Sequence, residues 1–132
     1  MASILKVDTL TGVTTAGSIA VTGEGNSTTT NLQQGLVKHW SHYDLATTPA
    51  SNQDSFNASS VTDNATGDYQ QNFANNMSNG NFSAGTISNF PLMDLAGSPP
   101  TATTYIRFNT RNNSFVDTDA DDNLVMVAGD LA

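Results

Sequence analysis

The chain has 132 residues, no cysteine, and twelve acidic residues against four basic ones, a net charge of −8. A disulfide framework and a thiolate metal site are thereby excluded, and repulsion sets nucleic-acid phosphates and anionic membranes aside as partners. Glu24 is the single glutamate, Lys and Arg are scarce, and roughly a third of the residues are Thr, Asn or Ser, so a polar β surface is expected rather than long amphipathic helices.

Residues 1–35 differ in character from the rest of the chain. Leu5 alternates with Val7 and Ile19 with Val21, glycines recur, and no aromatic residue occurs. Short apolar patches cannot order thirty-five residues alone, since each residue fixed costs about 1–2 kcal/mol in backbone entropy. An extended N-terminal arm is therefore expected, ordered against a neighbouring copy or another assembly surface, with Leu5, Val7, Leu10, Val13, Ile19, Val21, Leu32 and Leu36 as its contact residues. The first six residues, Met1-Ala2-Ser3-Ile4-Leu5-Lys6, lack a signal-peptide layout, and no apolar run has membrane length. Cytoplasmic assembly without membrane insertion is the expectation.

A short helix is expected in the first half of residues 28–40, capped by Ser27 or one of Thr28–Thr30. Leu32, Leu36 and Trp40 would form its i, i+4, i+8 stripe, and Gly35 weakens it. The competing reading starts a strand at Leu36, with Trp40 inward and His39 outward. Residues 36–132 read as one β domain, with strands expected over 37–43, 55–62, 68–73, 81–87, 103–110 and 123–128 between Gly-, Pro-, Asn- and Asp-rich segments.

The clearest hairpin spans residues 54–73. Its turn is Asp63-Asn64-Ala65-Thr66-Gly67, where Asn64 can cap and Gly67 can take a positive φ. Tyr69, Gln71 and Phe73 share one face, which Val61 can meet, and a bulge near Ser59-Ser60 would bring Phe56 to the same side. Ile106 and Phe108 share a face, leaving Tyr105 and Arg107 on the other. The last strand, Leu124-Val125-Met126-Val127-Ala128, is apolar on both faces, as in a strand covered on both sides or sealed by a neighbouring subunit. Six short strands with turn signals indicate a small antiparallel β-sandwich of about ninety residues.

Three stretches carry a resemblance: K-V-D-T-L-T-G-V-T-T-A-G-S-I with T-G-E-G-N-S-T-T-T-N-L-Q-Q-G-L, then S-F-N-A-S-S-V-T-D-N-A-T-G-D-Y, and more loosely the ending V-M-V-A-G-D. They resemble tail-fibre-like virion proteins of marine bacteriophages that infect cyanobacteria and related ocean bacteria. The resemblance implies a homotrimeric virion structural protein, its arm bound to other virion proteins and its β domain outward. The motifs recur at different positions on the particle, so they imply neither tail nor head.

Chemistry-bearing patterns are sparse. The run Asp117-Thr118-Asp119-Ala120-Asp121-Asp122 begins like a calcium loop through Asp117, Asp119 and Asp121, but Asp122 stands where an EF-hand requires glycine and Ala128 where it requires the bidentate acid. A solvated acidic turn, with no metal and no cofactor, is the expectation. His39 and His42, three apart, fall on opposite faces of a strand and cannot share an ion there. No G-x-S-x-G elbow occurs, and Asp63, Asp68, Asp117 and Asp119 give no sign of a paired-carboxylate site, so no enzyme is expected. Two non-enzymatic readings remain: a short tail fibre or attachment component contacting host saccharide or protein through Tyr43, Phe90, Tyr105 and Asn109, or a capsid decoration or head-fibre protein with a mainly structural role.

Overall fold

The computed structural model describes residues 4–12, 19–23, 27–47, 49–89, 92–96 and 101–132. The chain divides into two units, Met1–Gly35 and Leu36–Ala132.

In the first unit, β1 (Ala20–Thr22) pairs antiparallel with β2 (Thr29–Asn31), from Ala20 opposite Asn31 to Thr22 opposite Thr29. Gly23 N donates to Thr28 O at 2.9 Å and Leu32 N to Ile19 O at 2.8 Å, closing the ladder at both ends. A single turn, α1 (Leu32–Gly35), comes immediately after. Its cap is Asn31, whose Oδ1 accepts from Gln34 N at 3.1 Å, not a residue of the Ser27–Thr30 group. The helix stops at Gly35 and the chain turns to β-branched and aromatic residues, so the stripe of Leu32, Leu36 and Trp40 does not form.

The second unit is mainly β and built from antiparallel sheets. Its strands are β3 (Val37–Asp44), β4 (Ser51–Phe56), β5 (Ala58–Ala65), β6 (Asp68–Phe73), β7 (Ser83–Ser88), β8 (Leu92–Leu95), β9 (Thr101–Ala102), β10 (Tyr105–Arg111) and β11 (Asn123–Ala128). One sheet runs β4-β3-β11-β7; the other runs β5-β6-β10-β8, with β9 also on β10. Alternation sets which side chains enter between them. Tyr69, Gln71 and Phe73 of β6, Ile106, Phe108 and Thr110 of β10, and Asn123, Val125 and Val127 of β11 point inward, each with its neighbours turned out. Together with Tyr43, Leu45 and Met77 the apolar members form one core, as in a β-sandwich, with Val61, Phe82 and Leu131 packed against it. Tyr43 and Phe108 lie 5.4 Å apart by ring centroid, joining the two sheets, and Phe73 meets Phe82 edge-on at 5.6 Å.

The stretch expected as one strand over 55–62 is two strands in different sheets. Asn57 breaks it with a φ of 57°, a left-handed conformation that asparagine tolerates better than most residues. Its side chain holds the crossing: Nδ2 donates to Lys38 O at 2.9 Å and Asn75 O at 3.1 Å, and Oδ1 accepts from Asn75 N at 2.6 Å. The bulge near Ser59-Ser60 is present, with Ala58 opposite Phe73 and Ser60 opposite Asn72. It does not bring Phe56 inward, because Phe56 ends a strand of the other sheet and faces out.

At the hairpin tip Ala65 pairs with Asp68 across Thr66 and Gly67, and Asn64 is a second residue in excess on β5. Gly67 takes a φ of 68°. A Cβ there would lie 2.6 Å from Thr110 O and 2.7 Å from Thr118 N, so the tip is clamped against the chain beyond β10. Gly67 N donates to Asp119 Oδ1 at 2.7 Å, and Thr110 N returns a bond to Gly67 O at 2.8 Å.

Candidate interaction surfaces

The two sheets turn different chemistry outward. On the β4-β3-β11-β7 sheet, register places Phe56, Trp40, Met126 and Gly85 in one cross-strand row and Asp54, His42, Leu124 and Ile87 in the next. The exposed fractions are 38% for Trp40, 51% for Phe56, 55% for Met126, 44% for Leu124 and 69% for Ile87. Trp40, Ile87, Leu124 and Met126 line an open apolar groove of about 410 Å³. Gly85 forms part of its floor, with nothing within 4 Å of where a Cβ would stand. His42 sits at the rim, its Nε2 2.5 Å from Asp122 Oδ1. Among the described residues no set of polar atoms converges on the groove, so it suits apolar contact and not hydrogen-bonded recognition of a small polar ligand.

The outward face of the β5-β6-β10-β8 sheet is amide-rich. Tyr105 lies opposite Asn72, Arg107 opposite Gln70, and Asn109 opposite both Asp68 and Asp94. Asn72 Nδ2 donates to Ser60 Oγ at 3.1 Å and Thr62 Oγ1 at 2.8 Å, while Gln70 Nε2 donates to Asn72 Oδ1 at 2.6 Å. Arg107 grips Asp68 with both arms of its guanidinium, Nε to Oδ1 at 2.7 Å and Nη2 to Oδ2 at 2.5 Å. That pairing holds the Asp68 carboxyl below its ordinary range.

One loop joins this second face. After β10 the chain closes on Asn112, whose N donates to Val116 O at 2.9 Å and whose Oδ1 accepts from Ser114 N at 2.9 Å and Val116 N at 3.2 Å. Phe115 is thereby held at φ 60° with its ring three-quarters exposed, beside exposed Val116. A bulky residue in the left-handed region is strained, and such strain gathers at functional positions.

Of the residues expected at contact sites, Tyr105 and Asn109 share the amide-rich face, both half-buried and four residues apart along β10. Tyr43 does not join them. It is fully buried between the sheets, and burial pushes its hydroxyl pKa up. The inversion of Tyr43 and that of Trp40 have one cause: residues three apart on a strand face opposite ways, and β3 turns His39, Ser41 and Tyr43 inward, leaving Trp40 and His42 outside. Phe90 and Val13 lie outside the described residues. Leu5, Val7, Leu10, Val21 and Leu36 are exposed, while Ile19 and Leu32 are half-buried.

The acidic run does not gather its carboxylates. Asp117 pairs with Arg111 Nε at 2.8 Å, Asp119 takes Gly67 N, Asp121 takes the Asn89 amide, and Asp122 takes His42. Among the described residues no three His, Cys, Asp or Glu side chains stand close enough to share an ion. Phe115 and Val116 escape sequence reasoning because their loop has no glycine to mark its left-handed turn; the signal available is Asn112-Asn113-Ser114, a run of turn-forming side chains. Comparison with protein-family models, curated proteins and solved structures gives no match to this chain.

Proposed function

We propose that the protein is a bacteriophage virion structural protein, a trimeric short tail fibre or fibre-like attachment component whose β domain meets the host surface. The carrying observation is Phe115, strained and exposed at the tip of a loop that Asn112 fixes. Loops on a rigid scaffold are where contact residues accumulate, and an aromatic ring already held in place loses little conformational entropy on binding. Tyr105, Asn109 and the amide ladder of Gln70 and Asn72 supply flat polar surface on the adjoining face, suited to host saccharide or protein. Each such contact is weak alone, and three per trimer, with many trimers per particle, raise avidity without a deep pocket. The resemblance of the arm and the central hairpin to tail-fibre-like virion proteins supports the same reading.

A second reading, a capsid decoration or head-fibre protein, is favoured by the bare apolar face of the other sheet, which suits holding particle components together. Immunogold labelling of intact virions with antibody against residues 36–132 separates the two. Gold at the tail is expected, together with weaker host-cell binding by a Phe115→Ser chain. Gold over the head would establish the decoration reading instead, and unlabelled virions would overturn both.

A further inference from the structure

We propose that the outward face of the β4-β3-β11-β7 sheet seats a second copy of this chain, so that self-assembly is carried by the β domain and not by the N-terminal unit. The inference deepens the reading above by naming the surface through which copies meet, and it rests on that reading's premise of a self-assembling component.

Area gives the first argument. Side chains of this size offer roughly 150–250 Å² each when bare. At the exposed fractions of Trp40, Phe56, Ile87, Leu124 and Met126, on the order of 500 Å² of apolar surface remains in contact with water. A standard interface takes about 800 Å² from each partner, with an apolar centre and a polar rim. The apolar members of the two rows supply that centre, Asp54 ends its row on the outermost strand, and Asp122 lies beside the rows, paired with His42.

Charge gives the second. Copies of a chain with net charge −8 repel one another, so they associate where carboxylates are fewest. Within the two rows Asp54 is the only carboxylate, at the end of its row on an outermost strand, with Asp44 and Asp122 flanking the rows. On the opposite face the single row of Asp68, Asn109 and Asp94 holds two. Shape agrees with this: Met126 and Ile87 stand proud on either side of Gly85, where no side chain fills the sheet, so the face offers both ridge and hollow to an identical partner.

Light scattering on the full chain tests the proposal. The wild-type mass is expected at two or more times 13.9 kDa. Ile87→Asp and Met126→Asp should each lower it to that of one chain, with the far-ultraviolet circular dichroism unchanged because both side chains point away from the core. Leu5→Asp, in the N-terminal unit, should leave the mass as it is. Trp40, the chain's single tryptophan, reports on the same face without any substitution: its emission should move to longer wavelength as dilution lowers the mass. A wild-type chain that runs as one copy overturns the proposal. So do face variants that keep the assembled mass, dissociation by Leu5→Asp alone, or a fall in mass that leaves Trp40 emission unmoved. These readings are made in solution and the labelling on particles, so the failure of one is distinguishable from failure of the other.

Discussion

His39 lies between the sheets with its ring 5.1 Å from that of Phe73 and its Nδ1 3.2 Å from Asn57 O. Burial disfavours the imidazolium and lowers its pKa below the ordinary 6.5, an effect the Asn57 carbonyl only partly offsets. The unfolded chain therefore takes up the proton first, so the contribution of neutral His39 is complete above about pH 6.5 and is lost as pH falls from there through the folded value. Asp68 behaves likewise in a lower window. Its folded pKa is held beneath the ordinary 3.8 by Arg107, so its contribution is present above that value and goes as pH falls through the folded one. The melting temperature should accordingly decline in two stages on acidification, the first beginning near pH 6.5. In a His39→Asn chain the first stage should vanish, and its persistence there would assign it to another group.

Where β4 passes into β5, one residue ties the two sheets together, and the tie is testable as a property of that junction. Asn57→Ala removes the side-chain bonds to Lys38 and Asn75, and leaves a residue poorly suited to a φ of 57°. A loss of about 2–4 kcal/mol in urea unfolding is expected from the bonds and the strain together. Asn57→Gly, which relieves the strain alone, should cost less. An unchanged midpoint in Asn57→Ala would show that packing alone holds the crossing. The sequence marks this region only partly. The hairpin, its positive-φ glycine and the bulge near Ser59 arise from turn chemistry and period-two patterning, which are local. The division of 55–62 between sheets depends on the carbonyls of Lys38 and Asn75, nineteen and eighteen positions away, and no local pattern carries that. The side taken by β3 is likewise a tertiary choice, because its aromatic residues, Trp40 and Tyr43, are of opposite parity and either could fill the core.

Taken whole, the β unit has an apolar face and an amide-rich one on either side of a shared core. The apolar face was half legible, since a last strand apolar on both sides signals an outer cover; Trp40 and Ile87 on its two neighbouring strands, and Phe56 one strand further, join it only through sheet order. The exposed Phe115 was not legible, because a left-handed phenylalanine runs against local preference. Charge also belongs to this scale. With a net −8 spread over a small chain, long-range repulsion opposes the folded state, whereas Arg107–Asp68 and the two carboxylates on Arg111 are short-range attractions that salt weakens less. Raising salt from about 0.01 M to about 0.15 M shortens the screening length from about 30 Å to about 8 Å. The melting temperature should rise modestly across that range, and a fall would show that the local pairs outweigh the net charge.

The surplus residues in β4 and β5 have a further effect. Gln53 is in excess where His42 faces Asp54 and Tyr43 faces Asn52, and Ser59 and Asn64 are in excess on β5. Each of these strands forms one of the two edges of its sheet, where unpaired backbone N–H and C=O groups would otherwise template strand addition from any passing chain. A bulge bends and twists such an edge out of register with a straight newcomer. With one border of each sheet spoiled for lateral growth, an acidic and otherwise polar protein can keep one sticky sheet surface while offering amyloid-like strand addition fewer places to start.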